Sequence, residues 1–385
     1  MRHLSVPKRK TEYFAAQLRA KGWAAKGYRI LSDGECNLLP LAIKAPIELP
    51  DELGRVPMVE LKRQTQPDTT HWQTFLANHV PPEVIEKHTG EWPNAQEHFG
   101  DIILFKLEDS VLKYAQEIAI AKLEFSKKSR LVLLDGGVVG PFRIRNLSPI
   151  AARLDGEILG REEINNLPAQ INADLTTCRA RISEYGAQII ADPTKAYYST
   201  RLANERAMTV TAVMELAQEL GRPLSIADPY CGVGPALIQL LRQPDLVYEY
   251  LATDLNPEAL PLLEENLRAN STVKQARLPY DLENALHLTD KEELKGRFDV
   301  LLVNLPHDTI NHLSHLLPLL QENTPTLLRG WLVAEESLLK ESEEKLNNIL
   351  TSKQLRSPLT LELRRQYSTN KVLTRFSVIL EPPTG

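Results

Sequence analysis

The chain has 385 residues, 43% of them hydrophobic and 25% charged, and carries a net charge of −5. That is the profile of a globular protein too long for one ordinary core, so two or three domains are expected. No apolar run nears the ~18 residues of a membrane span. The start, MRHLSVPKRKTEYF, lacks the apolar stretch of a signal peptide, and Cys36, Cys178 and Cys231 form neither a disulfide framework nor a CxxC metal site. A membrane protein and a disulfide-stapled secreted scaffold are thereby excluded, and a cytoplasmic location is expected.

In chain order, residues 1–46 read as a small α/β domain: a strand at RHLSVP, an amphipathic helix at KRKTEYFAAQLRAKGW, and two strands around Asp33-Gly34, a hairpin signal. Its first thirty residues hold Arg2, Lys8, Arg9, Lys10, Arg19, Lys21, Lys26 and Arg29 against Glu12 alone, a patch suited to phosphates or to plain solvation. Residues 47–75 are proline-bearing and polar and read as a linker. A middle domain over 76–190 follows. It has a helix start at PPEVIEKH, a strand DIILFKL, a helix SVLKYAQEIAIAKLEF, a strand RLVLLD and a turn at Gly136-Gly137 leading into VVGPFRIRNL. An insertion is expected around 155–182. From residue 191 to 385 strands and helices alternate: LSIADPYCGVGP, ALIQLLRQ, VYEYLATDLNP, EALPLLEENLRANS, FDVLLVNLPH. That rhythm predicts a doubly wound, mostly parallel sheet, and the basic LRRQYSTNKVLTR lies near its close. The fold class is therefore α/β, with two smaller α/β or α+β domains ahead of the doubly wound one.

Ligands of such sheets sit beyond the carboxyl ends of the strands. In DPYCGVGP, Asp228, Gly232 and Gly234 fall where the first strand turns into a helix, and glycine there lets backbone approach a ligand. Asp254 ends the next strand, where a carboxylate suits two vicinal ribose hydroxyls. The phosphate-cradling G-x-G-x-x-G is incomplete, since Pro235 and Ala236 follow Gly234. A ligand without a pyrophosphate, such as S-adenosylmethionine, therefore fits better than NAD. The run Val300–Val303 stops at Asn304-Leu305-Pro306, which would fix an amide at a strand end against a flat polar substrate. His307, His312 and His315 have no carboxylate at ligand spacing and read as surface or packing residues, so no metal is expected.

The glycine turn resembles the first motif of class I methyltransferases. KAYYSTRLANERA (195–207), taken with VNLPH, resembles the signature of archaeal and eukaryal tRNA (guanine-N1)-methyltransferases acting at position 37. Tyr197, Ser199, Arg201, Leu202, Glu205 and Arg206 fall on that pattern; Thr200 replaces a usual proline and Asn204 a frequent threonine. The likeness extends to the N-terminal domain, to HFGDIILFKLED and VVGPFRIRNLSPIA, and to RRQYSTNKVLTRFSVIL. It is poor over 47–75 and 155–182.

The resemblance implies S-adenosylmethionine as cofactor, held by Arg201, Asp228, Gly232, Gly234, Asp254, Asn256, Asp281 and Asn304. It implies tRNA as partner, gripped at the anticodon loop and elbow, with Tyr197, Arg206 and Pro306 on the substrate side. No obligate protein partner is evident and a monomer is expected. Guanine N1 bears a proton, so the chemistry needs a base near N1 and a donor for charge developing on O6. Glu205 takes the family's general-base position, with basicity raised by partial withdrawal from water. Arg143 or Arg145 would be the O6 donor; strand alternation would put both on one face, so spacing does not choose. Asn304 would hold the guanine edge. Three rivals stand beside this: an aminocarboxypropyl transferase of the wybutosine pathway on the same scaffold, a guanine-N2 methyltransferase suggested by DLNPEA, and a non-catalytic tRNA-binding paralogue.

Overall fold

The computed structural model describes residues 1–25, 28, 30–47, 50, 56–61, 71–270, 275–368 and 370–383. The chain forms two compact units, Met1–Asn78 and His79–Gly385. Among the described residues no helix is long and apolar enough to cross a membrane.

The first unit comprises β1 (Arg2–Pro7), α1 (Thr11–Ala20), β2 (Leu31–Asp33), β3 (Cys36–Pro40), β4 (Met58–Glu60) and α2 (Gln73–Leu76). Its antiparallel sheet runs β2-β3-β1-β4. Alternation in β1 turns Leu4 and Val6 inward against Phe14 and Leu18 of α1, as period two requires. Gly34 (φ +58°) makes the expected hairpin turn. The expected linker needs correction, because β4 pairs with β1 and so belongs to this sheet. The rest of that expectation, at 48–49, 51–55 and 62–70, falls outside the described residues. In the basic patch, Lys8, Arg9 and Lys10 are exposed. Arg2 instead donates to the carbonyls of Pro46 (2.7 Å) and Ala45 (2.6 Å). Lys26 and Arg29 lie outside the described residues.

The second unit opens with α3 (Pro82–Lys87), β5 (Glu97–Phe99), β6 (Ile102–Phe105), α4 (Ala115–Phe125), β7 (Leu131–Val139), β8 (Ile144–Leu154) and β9 (Glu157–Gly160). These strands pair in chain order, with β6 and β7 parallel across the α4 crossover. Gly136-Gly137 is not the expected turn. It lies inside β7, where the register against β8 shifts between Asp135 and Val138, a bulge that bends the strand. The stretch expected as an insertion is regular structure: β9, α5 (Arg161–Asn165), α6 (Ala169–Thr176) and β10 (Ala180–Glu184), which pairs with β11 (Ala187–Ala191).

Next come α7 (Ala203–Leu220), β12 (Leu224–Asp228), α8 (Pro235–Leu241), β13 (Val247–Ala252), α9 (Leu260–Asn270), β14 (Ala276–Arg277) and β15 (Val300–Val303). The chain closes with α10 (Thr309–Leu316), β16 (Thr326–Glu335), α11 (Leu339–Ile349), β17 (Gln354–Leu355), β18 (Glu362–Gln366) and β19 (Lys371–Glu381). The eight-stranded sheet runs β14-β13-β12-β15-β16-β19-β17, with β18 also on β19. Its first five strands are parallel in the doubly wound manner. The last strand, β19, inserts antiparallel beside β16, where a dinucleotide-binding sheet would continue parallel. Val300 and Leu302 face a core shared with α7, α8 and α9, whereas Leu301 and Val303 face α10 and α11. Burial on both faces explains the unbroken apolar run of β15.

The boundary expected at 190 also moves. The side chain of Asn266 on α9 exchanges hydrogen bonds with both backbone groups of Ile190 (2.7 Å each). Asn270 does the same for Gln188 (3.1 and 2.8 Å). The β10–β11 hairpin is thus fastened to the C-terminal sheet's helices, and residues of β6 and β7 share their core.

Candidate active site

Strand order reverses between β12 and β15, which opens a crevice at their carboxyl ends. Asp228 ends β12 there, only 3% exposed, and its Oδ1 has no hydrogen-bond partner among the described residues. Burial, with the charge of Asp254 adding to it, pushes this carboxyl up to about 7. Gly232 has φ +55°, and a Cβ there would meet only the Tyr197 carbonyl at 3.8 Å. Gly234 differs: its φ is +78° and a Cβ would come within 2.6 Å of Leu263 on α9. Helix packing and conformation therefore account for Gly234, and Gly232 is the glycine that leaves room beside the turn.

Asp254 accepts from the Gly232 N–H (2.8 Å) and the Asn256 N–H (2.9 Å), and burial pushes its carboxyl up. Each oxygen keeps a further lone pair for a ligand hydroxyl. Asn256, expected to contact cofactor, is buried and donates to the Lys195 carbonyl at 2.7 Å. It pins the segment leading to Tyr197 and does not present its amide to a ligand. Asp281 stands beside Asp254 through its carbonyl (3.1 Å), and its side chain pairs with Arg277 (3.0 Å). Asn304, the first residue after β15, is exposed, and its side chain makes no hydrogen bond among the described residues. The Pro306 carbonyl accepts from Val333 (2.7 Å), which ties the Asn-Leu-Pro loop to β16.

A cavity of about 120 Å³ lies nearby, lined among others by Tyr197, Arg201, Arg143, Arg145, Arg365 and Glu97. The two middle-domain arginines do not share a strand face. Arg143 sits at φ +55° in the turn before β8, and only Arg145 is in the strand. Arg145 is tied to Glu97 (3.0 Å) and Asp135 (3.4 Å). Arg143 instead lies by the rings of Tyr197 (5.7 Å) and Tyr367 (5.9 Å) and donates to the Tyr367 hydroxyl. That hydroxyl also meets His307 Nε2 at 3.0 Å. Of the two arginines, Arg143 is therefore the one without a carboxylate partner among the described residues. His307 and His315 are exposed and His312 is half-buried against Tyr230, in keeping with surface or packing residues, but His307 also joins this cluster, and His312 contacts Asp308 (3.2 Å) and the Tyr230 hydroxyl (2.8 Å).

Glu205, in the first turn of α7, is buried as expected. Its carboxylate is not free, however: Arg364 donates to Oε1 (2.6 Å) and Arg375 to Oε2 (3.2 Å). Arg329 packs on the same side, pushed down to about 10 by its burial and by Arg375. Arg206, expected to bind substrate, is withdrawn from it. Its guanidinium is 7% exposed and makes a two-pronged pair with Glu184 (2.7 and 2.5 Å), which also accepts from Tyr198 (2.8 Å). Sequence reasoning missed Arg364, Arg365, Tyr367 and Arg375. The basic run LRRQYSTNKVLTR was visible, but nothing local says that it folds over α7.

This sheet order, with a ligand crevice at the β12–β15 reversal, defines a class I methyltransferase fold. Residues 180–356 match the TRM5/TYW2 methyltransferase domain family. The chain is 26% identical over 315 residues to the tRNA (guanine(37)-N(1))-methyltransferase Trm5b of Pyrococcus abyssi, covering 82% of this chain and 79% of that protein. It is 30% identical over 251 residues to the tRNA (guanine(37)-N(1))-methyltransferase of Paramecium tetraurelia, covering 64% and 52%. The crystal structure of Trm5b from Pyrococcus abyssi superposes with a TM-score of 0.60 at 20% identity over 99% of each chain. The complex of aTrm5 with tRNALeu gives 0.59 at 18% identity over 98% and 99%. Residues 180–356 thus form a methyltransferase domain of the TRM5/TYW2 type, a type that uses S-adenosylmethionine.

The residues present fit that cofactor. The unpartnered Asp228 oxygen offers an acceptor for a cationic ligand group, Gly232 leaves space beside it, and Asp254 retains acceptor capacity for hydroxyls.

Proposed function

We propose that the protein methylates N1 of guanosine 37 in the tRNA anticodon loop. The observation that carries this reading is the free Asn304 amide, at the same strand-end crevice as the Asp228 carboxyl with its unpartnered oxygen. Support also comes from Arg143, held beside Tyr197 with no carboxylate partner among the described residues. Bound S-adenosylmethionine supplies an electrophilic methyl on a sulfonium. Asn304 holds the polar edge of the extruded base, and Tyr197 packs against it. Glu205 takes the N1 proton, and Arg143 stabilises the charge that builds on O6. The N1 electron pair freed by Glu205 would be the nucleophile for the methyl that the bound cofactor would supply, with Asp228 and Asp254 holding that cofactor. Arg364 and Arg375 each engage one oxygen of Glu205, and each oxygen keeps a further lone pair that can accept the N1–H when guanine enters. Extrusion of the base suits a loop nucleotide, whose unstacking costs least.

Transcripts with G or A at position 37, incubated with methyl-labelled cofactor, test the reading. Label entering only the G37 transcript is expected; equal labelling of both would overturn it. Glu205→Gln should bind cofactor and tRNA as the parent does while single-turnover transfer slows at least about 100-fold, the usual worth of a positioned base. A parental rate would remove Glu205 from that role. The family joins TRM5 with TYW2, so aminocarboxypropyl transfer is the second reading; the Asn-Leu-Pro strand end favours methyl.

A further inference from the structure

Four arginines around this site are matched with acids: Arg145 with Glu97 and Asp135, Arg206 with Glu184, Arg364 and Arg375 with Glu205. Arg143, Arg201, Arg329 and Arg365 have no carboxylate partner among the described residues, and of these Arg143 is the one held between two tyrosine rings. Its direct contacts are the rings of Tyr197 and Tyr367 and the Tyr367 hydroxyl, none of them charged. A guanidinium that must meet a developing oxyanion is best held in this way, because a carboxylate partner would spend its charge beforehand. Its long side chain still has to be fixed, since loose rotamers cost rate.

We propose that Tyr367 and His307 are positioning residues that aim Arg143 at the reacting base. The inference rests on the reading of Arg143 as the O6 donor. Tyr367 directly follows β18, and its N–H is anchored to the Lys371 carbonyl at 2.8 Å. The ring of His307 stands edge-on to the Tyr367 ring at 5.2 Å between centroids. The hydrogen-bond order follows from donor inventory. Arg143 has only N–H groups, so it donates to the Tyr367 oxygen; the Tyr367 proton is then free to go to His307 Nε2. This order requires a neutral imidazole. Burial, with Arg143 and Lys371 nearby, pushes His307 below its ordinary range. The nearest acid on its own loop, Asp308, is engaged by His312 and Asn311. Protonation of His307 would set a second donor and a second positive charge on the Tyr367 oxygen and leave the hydroxyl proton without its acceptor.

Tyr367→Phe keeps the ring and removes the relay. At saturating cofactor its single-turnover rate should fall about tenfold, the worth of one hydrogen bond to a charged group. KM for tRNA and Kd for cofactor should stay within about twofold of the parent. The parent rate should drop on acidification through the imidazole range, and neither Tyr367→Phe nor His307→Ala should show that drop. Combined with Arg143→Ala, Tyr367→Phe should add no further loss. A parental rate for Tyr367→Phe, or a loss confined to KM, would overturn the proposal while leaving G37 methylation standing. A tenfold loss in an enzyme whose acceptor proves not to be guanine N1 would instead uphold the positioning role and sink the functional reading.

Discussion

Asp228 holds its proton until about pH 7 because it is buried beside Asp254. A cationic cofactor group can pair with it only after that proton leaves. Cofactor affinity should therefore rise with pH, by up to about tenfold per unit below pH 7, and level off above. Calorimetry on either side of that value, without RNA, checks this; Asp228→Asn should bind weakly and lose the pH dependence. Asp254→Ala should weaken cofactor binding as well, because its two oxygens set the Gly232 turn and face the ligand side. These acids were legible from sequence because glycine turn, strand and carboxylate are neighbours along the chain. Tyr367 was not, since its partners His307 and Arg143 lie 60 and 224 residues away. Arg206 was misread for a related reason. It adjoins Glu205 in sequence, yet one helical step turns it by about 100° onto another face, where it meets Glu184.

Among the elements, the β10–β11 hairpin carries the most consequence for the site. It supplies Glu184 to the buried pair with Arg206, and Tyr198 donates to the same carboxylate. Removing one partner strands a buried charge, so Glu184→Ala should cost about 3–5 kcal/mol in urea unfolding. A change under about 1 kcal/mol would mean that the pair is solvated. The alternation in β1 and the mostly apolar runs of β12, β13 and β15 announced these strands, since β1 buries one face and the others both. The bulge in β7 and the sheet built from 157–160 did not announce themselves. Gly136-Gly137 looks like a turn until β8 pairs across it, and β9 exists only because β8 offers an edge.

At the scale of the whole molecule, length and composition predict more than one core. The chain divides into two compact units, and the first reaches past the stretch expected as a linker. Resemblance assigns the N-terminal unit to the tRNA elbow. A chain lacking residues 1–78 should then keep its cofactor affinity, lose affinity for full-length tRNA, and treat an isolated anticodon stem-loop as the parent does. Filter binding of both RNAs to both chains tests that division.

The account depends most on which atom receives which group. Nucleoside digestion of a G37 transcript treated with the purified protein and S-adenosylmethionine, followed by chromatography and mass analysis against N1- and N2-methylguanosine standards, addresses this directly. The account predicts N1-methylguanosine as the product. N2-methylguanosine, or a nucleoside heavier by an aminocarboxypropyl group, would contradict it.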